Sequence, residues 1–442
     1  MPRRHRPARR RTVKPAAAAH PFRALRVRNF RLFAGGQVVS VAGTWMSVVA
    51  QDWLVLEMTG DSATELGTVT ALQFTPVLLF TLHGGRLADR YDKRTLLTLA
   101  NLVSGLLALL LAVLVLGDLA RLTHIYLFAL GLGLVNSVEV PTRMAFVGEL
   151  VGPELLPNAS ALSAAYFNVA RVAGPAAAGL VIAALGSGWV LLVNAVSYAA
   201  TVLTLRCIRP GELHRDERRT GPARVTDGLR HVRDRPGLTV PLALVAGVGL
   251  FGLNFQLTLP LLAKTVYRAD AASFGLLTTV FAAGSLAAAF LTTARTSRPS
   301  ARLVTCSALV FAVLEAAVGR APGYPAAVVL LFLTGGASVY FAQAANHRVQ
   351  LGCDPRFRGR VLALYTLILQ GTTPLGALLV GRVGAEWGAR ACFLAGGLAS
   401  LATALAVLAL PSGRSGPEPA EHGNRAGRAL PGTGRPAEDA GP

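Results

Sequence analysis

The sequence predicts an all-α membrane protein: twelve transmembrane helices in two pseudo-symmetric six-helix bundles. Three observations carry that prediction. Apolar residues make up 52% of the 442 positions and charged residues only 15%, whereas a soluble domain carries about a quarter charged residues to cover its surface. The apolar residues gather into stretches of bilayer length. The formal net charge of +20 is confined almost entirely to one side of those stretches.

A membrane helix needs about 20 mostly apolar residues. Such stretches are expected at 33–56, 65–86, 95–117, 123–145, 160–184, 188–207, 239–262, 272–294, 302–320, 325–347, 360–383 and 388–410. Several contain Gly or Pro, which membrane helices tolerate when neighbouring groups re-satisfy the freed backbone. Gly186-Ser187-Gly188 reads as a tight hairpin connection. Residues 412–442, rich in Gly, Pro and charge, read as a disordered tail.

An even number of spans puts both ends of the chain on one side. Of the 43 Lys and Arg, 36 fall in segments on that side, six in the opposite loops, and Arg171 falls inside a span. The positive-inside rule then makes both termini cytoplasmic and the location the inner (plasma) membrane. Nucleic-acid binding, the other common use of so basic a composition, is excluded by this spread over the loops of a polytopic protein. The Arg-rich start resembles a transit peptide in composition. Phe22–Phe33, however, leads straight into the first span, so residues 1–31 are expected to be a basic segment touching anionic lipid headgroups. Cys207, Cys306, Cys353 and Cys392 are isolated, and neither a metal site nor a disulfide framework is expected.

The charged loop Ile208–Leu238 divides the spans six and six, giving an N-terminal bundle at 32–207, a linker at 208–238 and a C-terminal bundle at 239–411. Within the linker, Val225–Leu238 reads as an amphipathic helix on the membrane face. The halves also repeat faintly. Tyr166 and Pro175 align with Tyr365 and Pro374; Gly67, Arg90 and Arg94 align with Gly275, Arg298 and Arg302. Duplicated halves are how many secondary transporters are built.

GGRLADRYDKR (Gly84–Arg94), after the second span, resembles the cytoplasmic signature of the major facilitator superfamily. GTWMSVVAQDWLVLEMTG (Gly43–Gly60), NVARVAGPAAAG (Asn168–Gly179) and RFRGRVLALYT (Arg356–Thr366) are similar to its bacterial exporter branch, which includes the enterobactin exporter and drug:proton antiporters. The resemblance covers roughly residues 22–410 and implies the major facilitator fold. It also implies that Asp89 docks on the start of the eleventh span, near Arg358 and Arg360, to lock the outward-open state. Gly85 is expected to permit a tight turn and close helix approach. Arg90, Lys93 and Arg94 belong to the same signature and are read either as further residues of that cytoplasmic gate or, more plainly, as positive-inside charge. Asp92 stands where the family has Gly.

Arg171 lies near the bilayer centre, where a charge costs at least ~2.5–3.5 kcal/mol, so it should face protein or water and have a partner. It is read either as a buried strut fixing helix positions or as a participant in proton coupling or substrate contact. Asp52 is the expected partner. Glu139 is a second candidate, although Arg143 four residues on offers it an ordinary helical pair. Gly174, Pro175 and Gly179 resemble a shortened antiporter signature. Many proton antiporters of the superfamily carry an Arg in the middle of the fourth span, and Leu130–Pro141 has none. Glu315 falls in the ninth span, peripheral in the family, where a structural or interfacial role is expected.

Gln37, Ser40, Thr44, Ser47 and Gln51 recur at spacings of 3, 4, 3 and 4, which is one helix face. This stripe is expected either to line a substrate cavity or to serve helix packing. Asn254 and Gln256, Gln343 and Asn346, and Gln370 are the expected contributions of the other half. The leading function is proton-coupled efflux of an amphipathic small molecule, a drug or siderophore-like metabolite, by alternating access. The alternatives are a metabolite importer of the same fold or a non-transporting polytopic membrane protein. The chain contains no P-loop, HExxH or GxSxG, so an enzyme, a cofactor and a resident metal are not expected. The expected partners are the substrate, protons and membrane lipids, with the chain acting as a monomer.

Overall fold

The computed structural model describes residues 22–214, 232, 236–293, 297–353 and 357–409. Among these there is no strand. Eleven helices are long and apolar enough to cross a membrane. One of them, Leu122–Leu185, has 64 residues with non-helical backbone at Gly152 (φ 73°, ψ 174°). At 1.5 Å per residue it would run about 96 Å, three bilayer cores, so it is two spans meeting at Gly152. The twelve are α1 (Arg28–Thr59), α2 (Ala63–Arg90), α3 (Lys93–Leu116), α4 (122–151), α5 (153–185), α6 (Ser187–Arg206), α7 (Gly237–Val266), α8 (Ala271–Thr293), α9 (Ala301–Gly319), α10 (Tyr324–Gly352), α11 (Arg358–Trp387) and α12 (Ala389–Ala409).

The connections follow local chemistry. Gly60 closes α1 in the left-handed conformation, its N–H bonded to the Leu56 carbonyl. Ser62 caps α2 by accepting from the Glu65 N–H, and Ser300 caps α9 by accepting from the Leu303 N–H. Asp92 is the N-cap of α3: its carboxylate accepts from the Thr95 N–H at 2.9 Å and from the Thr95 hydroxyl at 2.8 Å. That role accounts for an acid at this family glycine position. Before α8, hydrogen bonds from the Ser273 hydroxyl and N–H hold the Asp270 carboxyl below the usual range. The loop expected at 146–159 is instead helical on both sides of Gly152. Pro153 begins α5 where a proline costs no hydrogen bond, so helix resumes at once. The linker reading at Val225–Leu238 and the tail at 412–442 lie largely or wholly outside the described residues, as does the segment before Phe22.

The halves pack by the same scheme. In the first, α2 packs on α4 and α3 on α6; in the second, α8 packs on α10 and α9 on α12. Exposed Leu99, Leu102, Val103, Leu106, Leu110 and Val113 give α3 a lipid-facing stripe. Small residues let the crossing backbones meet. A Cβ on Gly84 would strike the Ser137 carbonyl, and one on Gly133 the Gln73 carbonyl. The second half repeats this with Gly284 against Phe332 and Gly335 against Phe281.

The close approach expected at Gly85 is therefore made by Gly84, because the space beside Gly85 is open. Gly84→Ala is expected to destabilise the protein by about 1–3 kcal/mol through overpacking against backbone. Gly85→Ala should match the wild type in thermal unfolding followed by size-exclusion chromatography. Equal losses in both would refute the assignment.

The two ends of the molecule differ. At the end where α1 begins and α12 finishes, the near end, Phe30, Phe33, Leu97, Phe146 and Leu205 form a cluster confined to the first half. At the far end the clusters mix halves: Leu54, Leu66 and Val69 pack with Leu257, Leu261 and Val380, and Trp53 and Ala178 with Phe274. Among the described residues, the clusters that join the halves lie toward the far end.

Candidate functional site: a cavity between the halves

A cavity of about 160 Å³ lies where the halves converge. From the first half it is lined by Trp45, Val48, Val49 and Asp52 of α1 and by Arg171 of α5. The spacing of the α1 residues is 3, 1 and 3, one face of a helix. The second half supplies Phe255, Gln256, Leu259 and Pro260 of α7, and Phe274, Thr278, Phe281 and Ala282 of α8. Phe255 and Phe281 pack with ring centroids 4.3 Å apart. The walls are thus apolar and aromatic, with one acid and one cation set into them.

Asp52 and Arg171 share this cavity but do not form the ion pair expected of them. The Asp52 Oδ1 and Arg171 Nε atoms are buried, and neither has a hydrogen-bond partner among the described residues. Gly174 seats α5 on α1, its Cβ position 2.7 Å from the Trp45 Cβ. This crossing fixes the backbones while leaving the two charged side chains on separate walls. Glu139 takes the local option. It pairs with Arg143 at 3.0 Å, the Tyr166 phenol bonds the same guanidinium, and it does not line the cavity.

The polar stripe of α1 is a packing face in this structure. Ser40, Ser47 and Gln51 are buried. The Thr44 hydroxyl bonds the Ser40 carbonyl and lies 3.4 Å from the Tyr198 hydroxyl of α6. Gln51 donates to Gln73 of α2 at 3.4 Å, and Gly36 and Gly43 press on Thr204 and Ser197 of α6. None of the five polar residues lines the cavity, because the small side chains of this face admit α6. The cavity falls to the larger Trp45, Val48, Val49 and Asp52.

Asn254 likewise spends its amide on the chain, donating to the Leu250 carbonyl at 2.9 Å and the Phe251 carbonyl at 3.2 Å, where α7 is interrupted. Gln256 lines the cavity; Gln343 and Asn346 do not. Gln370 is exposed on the face of α11 that, two and three turns on, brings Ala377 and Gly381 against Gly67 of α2.

At the near end, Asp89 and Arg90 are exposed. The other signature cations act within the first half. The Lys93 Nζ lies 2.7 Å from Glu149 at the end of α4, and Arg94 donates to the Leu205 and Arg206 carbonyls that end α6. In this structure both clamp helix ends of the first half, where cations complement the dipole. The side chains of Arg358 and Arg360 lie outside the described residues.

Two features of the far end had no contact partner assigned from the sequence. Lys264, at the end of α7, pairs with Asp61 in the α1–α2 turn at 2.8 Å and lies 5.2 Å above the Trp53 ring. Trp53 stacks on Phe274 of the cavity wall at 5.9 Å. The second feature is a pair of glycine crossings between halves: Gly67 on α11, and Gly179 on Gly275 of α8. The alignment of Gly67 with Gly275 was the signal for these, since each sits at the equivalent crossing in its own half.

Lys264→Ala removes a half-exposed ion pair and a cation–π contact, together worth about 1–2 kcal/mol. Spin labels at Met58 and Trp387, both exposed at this end on opposite halves, should show a larger population at long distance. An unchanged distribution would deny Lys264 a latch role.

A model of the transmembrane secretion effector family matches residues 19–424. The chain belongs to this family of major facilitator transporters. It is a multi-pass membrane transporter and not an enzyme. Among its relatives, the multidrug efflux pump Tap of Mycobacterium tuberculosis is 26% identical over 405 residues, 85% of this chain and 91% of that one. The enterobactin exporter EntS of Escherichia coli is 26% identical over 370 residues, covering 83% and 86%. The staphyloferrin A transporter of Staphylococcus aureus is 27% identical over 263 residues, 58% of this transporter and 65%, a little under two thirds, of that protein. Of solved structures, the nucleoside transporter NupG superposes with a TM-score of 0.71 at 12% identity, over 86% of this chain and 98% of that one. A bacterial homologue of the lysosomal transporter Spinster, inward-facing and unoccupied, gives 0.66 at 14%, over 88% and 96%. Both structures share the fold.

Proposed function

We propose that this transporter exports an amphipathic small molecule by alternating access, driven by protons entering in exchange. The carrying observation is the cavity between the halves, in which Asp52 and Arg171 each hold a buried, unpartnered polar atom on aromatic walls. Polar groups left open on an apolar wall are what a ligand or a proton must satisfy. The relatives whose names specify efflux or siderophore transport support the substrate class. The enclosed cavity is smaller than the ~300–1,000 Å³ typical of drug-sized ligands. In this reading the remaining volume for a larger substrate opens between the halves during the cycle.

In this reading both termini are cytoplasmic, as the distribution of Lys and Arg argues, so the cavity is reached from the cytoplasm. The functional bundles are residues 32–207 and 239–411, joined by the linker 208–238 and flanked by cytoplasmic segments 1–31 and 412–442. The transporter works as a monomer in the inner membrane. Asp52 carries the proton and Arg171 meets the substrate or a carboxylate of it. The test is transport into inverted vesicles under an imposed pH gradient, with a panel of siderophores and amphipathic drugs. Substrate-dependent proton release with accumulation supports the proposal. Accumulation that ignores the pH gradient removes protons from it, and transport only in the opposite direction makes the protein an importer.

A further inference from the structure

Glu315 of α9 is a buried charge within the spans that the proposed mechanism leaves unused and that, unlike Glu139, has no ion pair among the described residues. It is 3% exposed, so it faces protein and not lipid. Its carboxyl is wedged between two glycine backbones. The Cβ position of Gly252 in α7 lies 2.8 Å from the Glu315 Oε2, and that of Gly396 in α12 lies 2.5 Å from the Oε1. The same two positions are 2.6 Å from the Ser400 hydroxyl and 2.9 Å from the Phe251 carbonyl oxygen, respectively. Both the Glu315 Oε2 and the Ser400 Oγ are buried without a hydrogen-bond partner.

Among the described residues no cation relieves this carboxyl. The elements packed on α9 are α12, α10 and α7. On α12 the only charged side chain is Arg390, which donates to the Ala321 carbonyl. On α7 it is Lys264, paired with Asp61 at the far end. On α10, His347 and Arg348 lie at the near end, roughly 28 Å of helix away from the level of Glu315, and Arg348 donates to the Pro299 carbonyl. On α9 itself, Arg302 sits at the opposite end and Arg320 in the loop beyond.

Glu315 also adjoins the one interruption in α7, where helix stops at Phe251 and resumes at Phe255. Phe255 lines the central cavity on one side and packs 6.1 Å from Phe311, one turn before Glu315, on the other. Carbonyl groups at the end of a half-helix are where broken membrane helices hold protons and small cations. Here the glycine contacts leave no room for a hydrated ion.

We propose that Glu315 is a proton-binding site set behind the break in α7. With the proton on, the neutral carboxyl sits beside the Ser400 hydroxyl and the Phe251 carbonyl, which share its glycine contacts, and the break keeps its present shape. With the proton off, a bare carboxylate faces a carbonyl oxygen. The repulsion moves α7 at Gly252–Asn254, and with it Phe255 in the cavity wall. This rests on the alternating-access reading but not on Asp52 or Arg171.

The experiment is an infrared pH titration of the purified, lipid-reconstituted transporter, comparing wild type with Glu315→Gln, Ser400→Ala and Asp52→Asn. A carboxylic C=O band that is lost in Glu315→Gln, shifted in Ser400→Ala and retained in Asp52→Asn is expected, and it should disappear at alkaline pH. Spin labels at Leu87 and Leu351, exposed at the near end, should change distance with pH in the wild type and not in Glu315→Gln. Absence of a Glu315-dependent band from pH 5 to 9, or a pH response of the labels unchanged by Glu315→Gln, overturns the proposal. So does a band that responds to sodium at fixed pH. Neither readout uses a substrate, so failure of the efflux reading leaves both intact, and their failure leaves that reading standing.

Discussion

Asp52→Asn is expected to lower pH-gradient-driven transport by at least about tenfold, equivalent to ~1.4 kcal/mol, while substrate exchange without a gradient survives. The substitution keeps the shape of a side chain that is only 2% exposed and removes its capacity to release a proton. Because the Asp52 Oδ1 has no hydrogen-bond partner, the change breaks no existing bond, and thermal stability should hold or rise. A structural role for Asp52 forecasts the reverse, a less stable protein whose residual transport still follows the gradient. Arg171→Lys provides the companion measurement. Lysine keeps the charge but loses the planar fork that recognises carboxylates, so weaker apparent substrate affinity at an unchanged gradient dependence is expected. Gradient-driven transport equal to wild type in Asp52→Asn would remove that residue from coupling.

Gly179→Leu is expected to abolish transport in a protein that still folds. The Cβ position of Gly179 lies 2.7 Å from the Ala271 carbonyl and 3.1 Å from the Gly275 Cα, both across the interface between halves. A leucine there cannot be buried without separating α5 from α8. Gly67→Leu acts at the equivalent crossing, where the Ala377 carbonyl is 2.6 Å from the Cβ position. Overpacking inside a half strains a fixed core, as at Gly84. Overpacking between halves is relieved by the rocking motion itself, so the cost appears as a shift in conformation. Labels at Met58 and Trp387 should report a far end held open, with thermal unfolding close to wild type. Wild-type transport in both leucine variants would show that far-end closure is not part of the cycle.

The reach of sequence reasoning varied with how local each question was. Asp92 stood in the sequence only as a departure from the family glycine; its carboxylate caps α3. Lys93 and Arg94 read as gate charges because their partners, Glu149 and the Leu205 and Arg206 carbonyls, are 56 and more than 110 residues away. Glu139–Arg143 was legible because both partners lie on one helical turn. Asp52 and Arg171 were recognisable as costly intramembrane charges, but whether they touch depends on how α5 sits on α1 at Gly174. Glu315 stood out by its cost alone; its neighbours Gly252, Gly396 and Ser400 carry no signal of their own.

Hydropathy and charge are sums over contiguous residues. The sequence by itself therefore determined twelve spans, their division at the central loop and the side on which positive charge gathers. A helix also offers several faces of comparable polarity, and the choice among them rests on neighbours brought from elsewhere in the chain. On α1 the hydroxyl-bearing face admits α6 closely, which leaves Trp45, Val48, Val49 and Asp52 to the cavity. Only the tertiary structure decided that orientation, together with the closure at the far end by Gly67, Gly179, Gly275 and Lys264, because the repeat that aligns Gly67 with Gly275 does not say which backbone each glycine meets.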